Sequence, residues 1–159
     1  MVFLEKLCSA FTKAGIDYGL VGGHAVALHG AVRGTVDVDF VFKWEKETLV
    51  LAEQVLSKLG LISRLPINAN DVFEFRDEYI NNRNLIAWNF YHPEDASQQV
   101  DIIINYNLNV QDIVSINTAH TTISLLAKKP LIKMKRAAGR PQDLEDVVAL
   151  EKLLDEVDA

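Results

Sequence analysis

Cysteine is almost absent from this sequence, with Cys8 the single example among 159 residues. One thiol can form neither an internal disulfide nor a cysteine-rich metal centre, so both are excluded as sources of stability. Cys8 falls with Leu7 and Phe11 in an apolar stripe at helical spacing, and we therefore interpret it as a core residue. This sparing use of cysteine agrees with a reducing cytoplasm, where we expect the protein to act.

Long hydrophobic runs and an excess of basic residues are also missing. No apolar run reaches about 18 residues, the length that begins to suggest a transmembrane helix, and the first residues include the acid Glu5, which disfavours a secretion signal. Lys and Arg number 16 against 22 Asp and Glu, for a formal net charge of −6. Without a global positive field, any contact with RNA must be local. We expect a soluble protein without a membrane partner.

Hydrophobic residues make up 49% of the chain, which is enough for one proper core in a chain too short for two comfortable domains. We therefore predict a single domain over residues 1–159. Apolar periodicity and turn residues predict strands over 17–21, 36–42, 61–65, 85–91 and 99–104, and helices over 2–14, 22–30, 45–59, 71–81 and 142–157, with a further helix leading on from 124–130.

Three of these predictions have specific structural consequences. Asp71 is placed to cap the helix over 71–81. The strands over 85–91 and 99–104 are joined by a short turn that contains a proline, which predicts a hairpin. In the last helix, we expect an apolar set to pack on the domain, namely Leu144, Val147, Val148, Leu154 and Val157.

A glycine turn follows the first apolar strand. Gly22 and Gly23 stand between that strand and a short predicted helix. Because glycines carry no Cβ, a ligand can approach the backbone and the free amides at the helix N-terminus, which favours an anion. A plain tight turn is the alternative for two glycines considered alone. Further along, Arg33 could reach a triphosphate with two parallel hydrogen bonds, although a loop arginine is commonly just solvated.

Acidic residues occupy alternate positions of the next strand. Asp37 and Asp39 should share one face with Val41, because strand side chains alternate between faces. A third acid, Asp101, lies on the opposite face of the strand over 99–104 from Val100, Ile102 and Ile104. Three carboxylates on neighbouring strands would repel one another unless a cation neutralised them. This pattern predicts a two-metal site for Mg²⁺, or alternatively Mn²⁺, with a solvated strand face as the competing interpretation.

In this order, the glycine pair and the acids resemble a known family. Gly22-Gly23, followed by Asp37-x-Asp39 and a later strand aspartate, Asp101, is similar to the nucleotidyltransferase fold of polymerase-beta-like enzymes. The resemblance covers the chain from about residue 16 to residue 154. It implies an α+β fold with a mixed central sheet flanked by helices, a core over about 16–105 and a C-terminal helical pair over about 124–157.

The tail resembles one branch of that family more closely. Lys133, Arg140, Asp143 and Asp146 follow the K-x6-R-x2-D-x2-D ending of the AbiEii-like branch, which contains toxins of type IV toxin-antitoxin systems. Only this resemblance makes Lys133 a candidate for the nucleotide phosphates or base, and Lys135 is the competing choice. Arg140 and Asp143 have a second interpretation, as an ion pair that joins the last two helices.

The resemblance implies transfer of a nucleoside monophosphate from a nucleoside triphosphate to an acceptor hydroxyl. In that reaction Asp37, Asp39 and Asp101 would bind the metal ions, and the amides of Gly22 and Gly23 would bind the phosphates. The implied acceptors are tRNA or another RNA, a protein side chain, or an aminoglycoside-type antibiotic, and an antitoxin is an implied partner. A non-catalytic antitoxin-like or protein-binding subunit with the same fold is the alternative from a different class.

Overall fold

A computed structural model describes residues 1–31, 34 and 37–158, with side chains through residue 155. The predicted site residue Arg33 lies outside the described residues. Within them the chain forms seven α-helices and seven strands. In chain order these are α1 (Phe3–Lys13), β1 (Tyr18–Val21), α2 (Gly22–Leu28), β2 (Val38–Phe42), α3 (Lys46–Lys58), β3 (Ile62–Ser63), α4 (Ala69–Glu74), α5 (Arg76–Arg83), β4 (Ala87–His92), β5 (Asp95–Ile103), β6 (Ile113–Asn117), β7 (Thr122–Leu126), α6 (Lys128–Ala138) and α7 (Pro141–Asp158).

The described strands make one mixed sheet in the order β3-β4-β5-β2-β1-β7-β6. Strand β2 is central, parallel to β5 and antiparallel to β1. Strand β1 is parallel to β7, and the remaining pairs are antiparallel. The expected α+β class, with a mixed sheet and helices around it, is confirmed, and β4 with β5 form the predicted hairpin.

An aromatic cluster holds α1 against one face of the sheet. The ring centroid of Phe11 lies 5.1 Å from that of Phe40, 5.2 Å from that of Phe42 and 5.6 Å from that of Tyr18. The contacts with Phe40 and Phe42 are edge-to-face, an arrangement that adds to the burial of apolar area. Because side chains alternate along β2, this packing turns Asp39 to the opposite face.

The predicted cap at Asp71 is wrong by three residues. Helix α4 begins after Asn68, whose side-chain oxygen accepts a hydrogen bond from the Asp71 backbone N–H at 2.9 Å. The Asp71 carboxylate accepts in return from the Asn68 backbone N–H at 3.2 Å, which completes a capping box. The region predicted as one helix is two, because the backbone leaves helical geometry at Phe75 (φ −107°, ψ 24°).

The chain after residue 112 departs furthest from the prediction. Strands β6 and β7 form a hairpin where no strands were predicted, and β7 pairs with β1. Over residues 122–125 buried side chains alternate with exposed or half-buried ones, which is the pattern of a strand with one covered face. Helix α6 therefore begins only at Lys128.

The predicted packing set of the last helix is confirmed in part: Val147 is buried and Leu154 packs against the core. The side chain of Val157 lies outside the described residues. Leu144 and Val148, which were expected to pack, are 49% and 68% exposed, while Val147 and Leu150 are buried. Buried carboxylates of Asp143 and Asp146 extend the inward stripe. The helix turns this way because a buried lysine on α6 pairs with both acids. Among the described helices, none combines the length and the apolar character required to span a bilayer.

Candidate active site

Neighbouring strands bring two of the predicted acids together. In β2 and β5, which run parallel, Asp39 is the direct partner of Asp101. Directly paired residues have their side chains on the same face, with the strands about 4.8 Å apart. At this separation the Asp101 carboxyl acts on Asp39 and raises its pKa. Asp37 lies just before β2, and its charge is felt by Asp39.

Gly22 makes room for the Asp39 carboxylate. Antiparallel pairing of β1 with β2 sets Val21 opposite Asp39, so the chain turns into α2 directly beside the acid. A Cβ on Gly22 would lie 2.0 Å from Asp39 Oδ2, and the Gly22 backbone has φ +70°, a left-handed value that favours glycine. The glycine pair was predicted to bind phosphate. The structure gives Gly22 an additional role, which is to accommodate one of the acids.

Burial and the charges of neighbouring acids make the ionised forms of Asp39 and Asp37 unfavourable. Burial, followed by the negative charge of Asp101, raises the pKa of Asp39 from the 3.8 of an ordinary aspartate to about 7, against an opposing effect of Lys135. Burial and Asp101 also raise the pKa of Asp37, while Arg64 and His24 act in the other direction. Carboxylates that share a site in this way are stabilised by a bound cation.

The donor set suits a hard divalent cation such as Mg²⁺, which prefers carboxylate oxygen and retains several waters. Over the residues that the structure describes, however, no three acidic, histidine or cysteine side chains are already grouped to hold one metal ion. Asp39 and Asp101, direct partners on adjacent strands, are therefore the part of the predicted donor set that the sheet brings together.

A buried ion-pair cluster joins the last two helices, α6 and α7. Lys135 is 7% exposed, and its Nζ lies 3.1 Å from Asp143 Oδ1 and 3.0 Å from Asp146 Oδ2. Arg140 Nε donates to Asp143 Oδ2 at 2.6 Å, so the predicted ion pair forms. It does not join the last two helices, because Arg140 lies directly before α7; Lys135 of α6 makes that connection. The charge of Lys135 also opposes the rise in the pKa of Asp39, so this cluster acts electrostatically on the acids.

The two candidate lysines have different surroundings. Lys133 is exposed on α6 and lines a cavity of about 490 Å³, together with Ile103, Tyr106 and Arg140. Ile103 follows Asp101 by two positions in β5, so the cavity opens on the face of the strand that carries the acid. Lys133 is thus placed to meet a molecule in the cavity, whereas Lys135 is buried against Asp143 and Asp146 and acts on Asp39 through its charge.

Two residues that the sequence did not single out lie in the surroundings of Asp101. Asn89, its antiparallel partner on β4, donates from Nδ2 to Asp101 Oδ1 at 2.8 Å. Arg64, which follows β3, donates from Nε to Asn89 Oδ1, also at 2.8 Å. A polar Asn89 between the buried aromatic residues Trp88 and Phe90 was a usable signal, but nothing local pointed to Arg64.

Comparisons with known proteins support the fold that was expected from the sequence. Neither a protein-family model nor a curated protein matches the sequence. Solved structures do match. An antigenic nucleotidyltransferase-like protein from Paracoccidioides brasiliensis has a TM-score of 0.60 at 17% identity, covering 94% of this chain and 74% of its own. The lincosamide antibiotic adenylyltransferase LnuA, solved with lincomycin, has a TM-score of 0.59 at 16% identity, covering 91% and 92%.

A third similar structure is ANT(2")-Ia in complex with adenylyl-2"-tobramycin, with a TM-score of 0.59 at 13% identity, covering 94% of this chain and 86% of its own. These likenesses show that the chain has the nucleotidyltransferase fold. They do not confirm the AbiEii-like branch, which stays a prediction from the tail motif.

Proposed function

We propose that the protein is a metal-dependent nucleotidyltransferase, which moves a nucleoside monophosphate from a nucleoside triphosphate to an acceptor hydroxyl. The observation that carries the proposal is the Asp39–Asp101 pair, set on adjacent parallel strands beside Gly22 in a nucleotidyltransferase fold. An acid with its pKa raised to about 7 in a partly buried cluster is destabilised when ionised. A site that keeps such a group has a use for its charge.

Each candidate residue has a proposed role in the transfer reaction. Asp37, Asp39 and Asp101 would hold Mg²⁺ or Mn²⁺, which when bound neutralises charge on the triphosphate and orients it. The acceptor oxygen bonds to the α-phosphorus while the bond to the pyrophosphate oxygen breaks, and Asp101 receives the acceptor proton. The amides of Gly22 and Gly23 bind phosphate oxygens.

Three basic residues are assigned to binding of the substrates. Lys135, whose charge opposes the rise in the pKa of Asp39, would offset negative charge of the triphosphate. Lys133, from its position in the cavity, binds the nucleotide or the acceptor. Arg33 remains part of the proposal as a second phosphate ligand.

The cavity favours a small-molecule acceptor over the other classes. It adjoins the face of β5 that carries Asp101, and its lining is mostly apolar with Lys133, Arg140 and a single carboxylate from Asp112. Two of the similar structures were solved with an antibiotic or its adenylylated product. Because Arg140 is paired with Asp143, Lys133 and Asp112 leave the lining with little net charge. A polycationic aminoglycoside would therefore find little charge complementarity, and a neutral hydroxyl compound fits better.

Label transfer tests the acceptor class. Purified protein with Mg²⁺ and each α-labelled nucleoside triphosphate is added to a whole-cell extract, and the products are divided among nuclease, protease and a small-molecule filtrate. Label in the filtrate, other than free nucleotide, is the expected result. Label removed by nuclease would support the toxin-like prediction, and label removed by protease would indicate a protein acceptor.

The non-catalytic alternative gives a different outcome in the same experiment. An antitoxin-like or protein-binding subunit would transfer no label with any nucleotide, even when the extract is supplemented with a panel of hydroxyl compounds. Retention of both glycines and all three acids argues against that alternative, because a dead enzyme has no need for a destabilised acid pair.

A further inference from the structure

We propose that Arg64 and Asn89 are positioning residues, which fix the carboxylate of Asp101 in the orientation needed for metal and acceptor binding. The proposal rests on the nucleotidyl-transfer function above. Its basis is a continuous chain of hydrogen bonds, from Arg64 Nε to Asn89 Oδ1 and from Asn89 Nδ2 to Asp101 Oδ1, each 2.8 Å long.

The chemistry of the partners allows the Asn89 amide only one orientation. The guanidinium of Arg64 can only donate, so the amide oxygen must face it. An ionised Asp101 can only accept, so the amide nitrogen must face that carboxylate. This relay of Arg64 and Asn89 therefore presents an N–H to Asp101 Oδ1, and Oδ2 is the oxygen of the carboxylate that Asn89 does not contact.

Arg64 is itself held by three contacts. Its guanidinium carbon lies 4.4 Å from the centroid of the Tyr91 ring, a cation–π distance. Its backbone N–H donates to the Asn89 carbonyl at 2.9 Å. The backbone bond fixes the position of the residue, and the ring contact and the Nε bond hold its exposed side chain. The charge of Arg64 also opposes the rise in the pKa of Asp37, so the arginine serves the same acid cluster.

A purely structural role predicts different consequences. Arg64 is exposed and lies beyond a two-residue strand, where a hydrogen bond adds little to stability. Residues that hydrogen-bond a metal-ligating carboxylate, in contrast, typically change metal affinity or activity by about 10–100-fold when mutated. Loss of the relay should therefore weaken metal binding much more than it lowers thermal stability.

Calorimetric titration with Mn²⁺ at neutral pH tests the proposal, with melting temperature, kcat and KM measured on the same samples. Asn89→Leu should bind Mn²⁺ about 10–100-fold more weakly. Its kcat should fall more than its KM for the nucleotide rises, because Asp101 acts on the acceptor. Arg64→Lys should show a smaller loss in the same direction, since an ammonium cannot reproduce the fixed Nε bond. Arg83→Lys, at an exposed arginine ending α5, is the matched control and should be unchanged.

Wild-type Mn²⁺ affinity in Asn89→Leu and Arg64→Lys would overturn the positioning role. If Asn89→Leu does not fold, the exposed Arg64→Lys decides the question alone. A wild-type chain that binds no Mn²⁺ would contradict the proposed function and this inference with it. Binding by the wild type that every variant retains would contradict the inference alone.

Discussion

Replacing Asp39 with asparagine should stabilise the metal-free protein at alkaline pH while abolishing its activity. The pKa of Asp39 is raised from 3.8 to about 7, mainly by burial and then by Asp101. A change of that size corresponds to about 4 kcal/mol between the protonated and ionised forms. Relaxation of the carboxylate and entry of water should reduce the realised effect to about 2 kcal/mol.

The sign of the pH dependence follows from the direction of the shift. An acid with a folded-state pKa above its unfolded value binds its proton more tightly in the native protein. The wild type therefore loses stability as pH rises from about 4 to about 7, and the loss is complete above the folded pKa. The amide of the variant carries no titrating proton, so the difference in the free energy of unfolding between variant and wild type should grow across this window.

Urea unfolding in the presence of a chelator, repeated at several pH values, measures that difference. At pH above about 8, Asp39→Asn should exceed the wild type by about 2 kcal/mol, or by about 4–8 °C in melting temperature. Added Mn²⁺ should stabilise the wild type but not the variant. A variant no more stable than the wild type at high pH, or a difference that does not change with pH, would refute the description of Asp39 as a strained acid.

Three further substitutions test the remaining parts of the site. Gly22→Ala should abolish Mn²⁺ binding and turnover and lower the melting temperature, since its Cβ would collide with Asp39 Oδ2. Calorimetry measures the binding, label transfer the turnover and thermal denaturation the melting temperature. Lys135→Met should cost about 3 kcal/mol in urea unfolding, because two buried carboxylates lose their shared cation. Lys133→Met should leave unfolding unchanged and raise KM for nucleotide or acceptor, and an unchanged KM would remove Lys133 from the site.

The sequence was most informative where local pattern and chemistry agree. Alternation along β2 predicted that Asp39 faces away from Phe40, and the proline-containing turn predicted the hairpin that carries Asp101. Direct pairing of Asp39 with Asp101 was not predictable, because register between strands far apart in the sequence depends on the packing of the whole sheet.

The features that were predicted wrongly or missed all depend on contacts between residues far apart in the sequence. Ion pairing with Lys135 fixes the rotation of α7, and hydrophobic periodicity cannot show that pairing. The periodicity therefore included Leu144 and Val148, which are exposed, among the packing residues. Strand β7 acquires its stability from pairing with β1, more than a hundred residues earlier, which no local pattern could show. Arg64 belongs to the site only because β3 returns beside β4.

The most direct test of nucleotidyl transfer is to compare α-labelled with γ-labelled nucleoside triphosphate in the same extract, for the wild type and for Asp39→Asn. Our account predicts that only the α label is transferred, that a chelator stops the transfer and that Asp39→Asn transfers none. Transfer of the γ label would indicate a kinase, and undiminished α transfer by Asp39→Asn would show that the acid pair is not the active site.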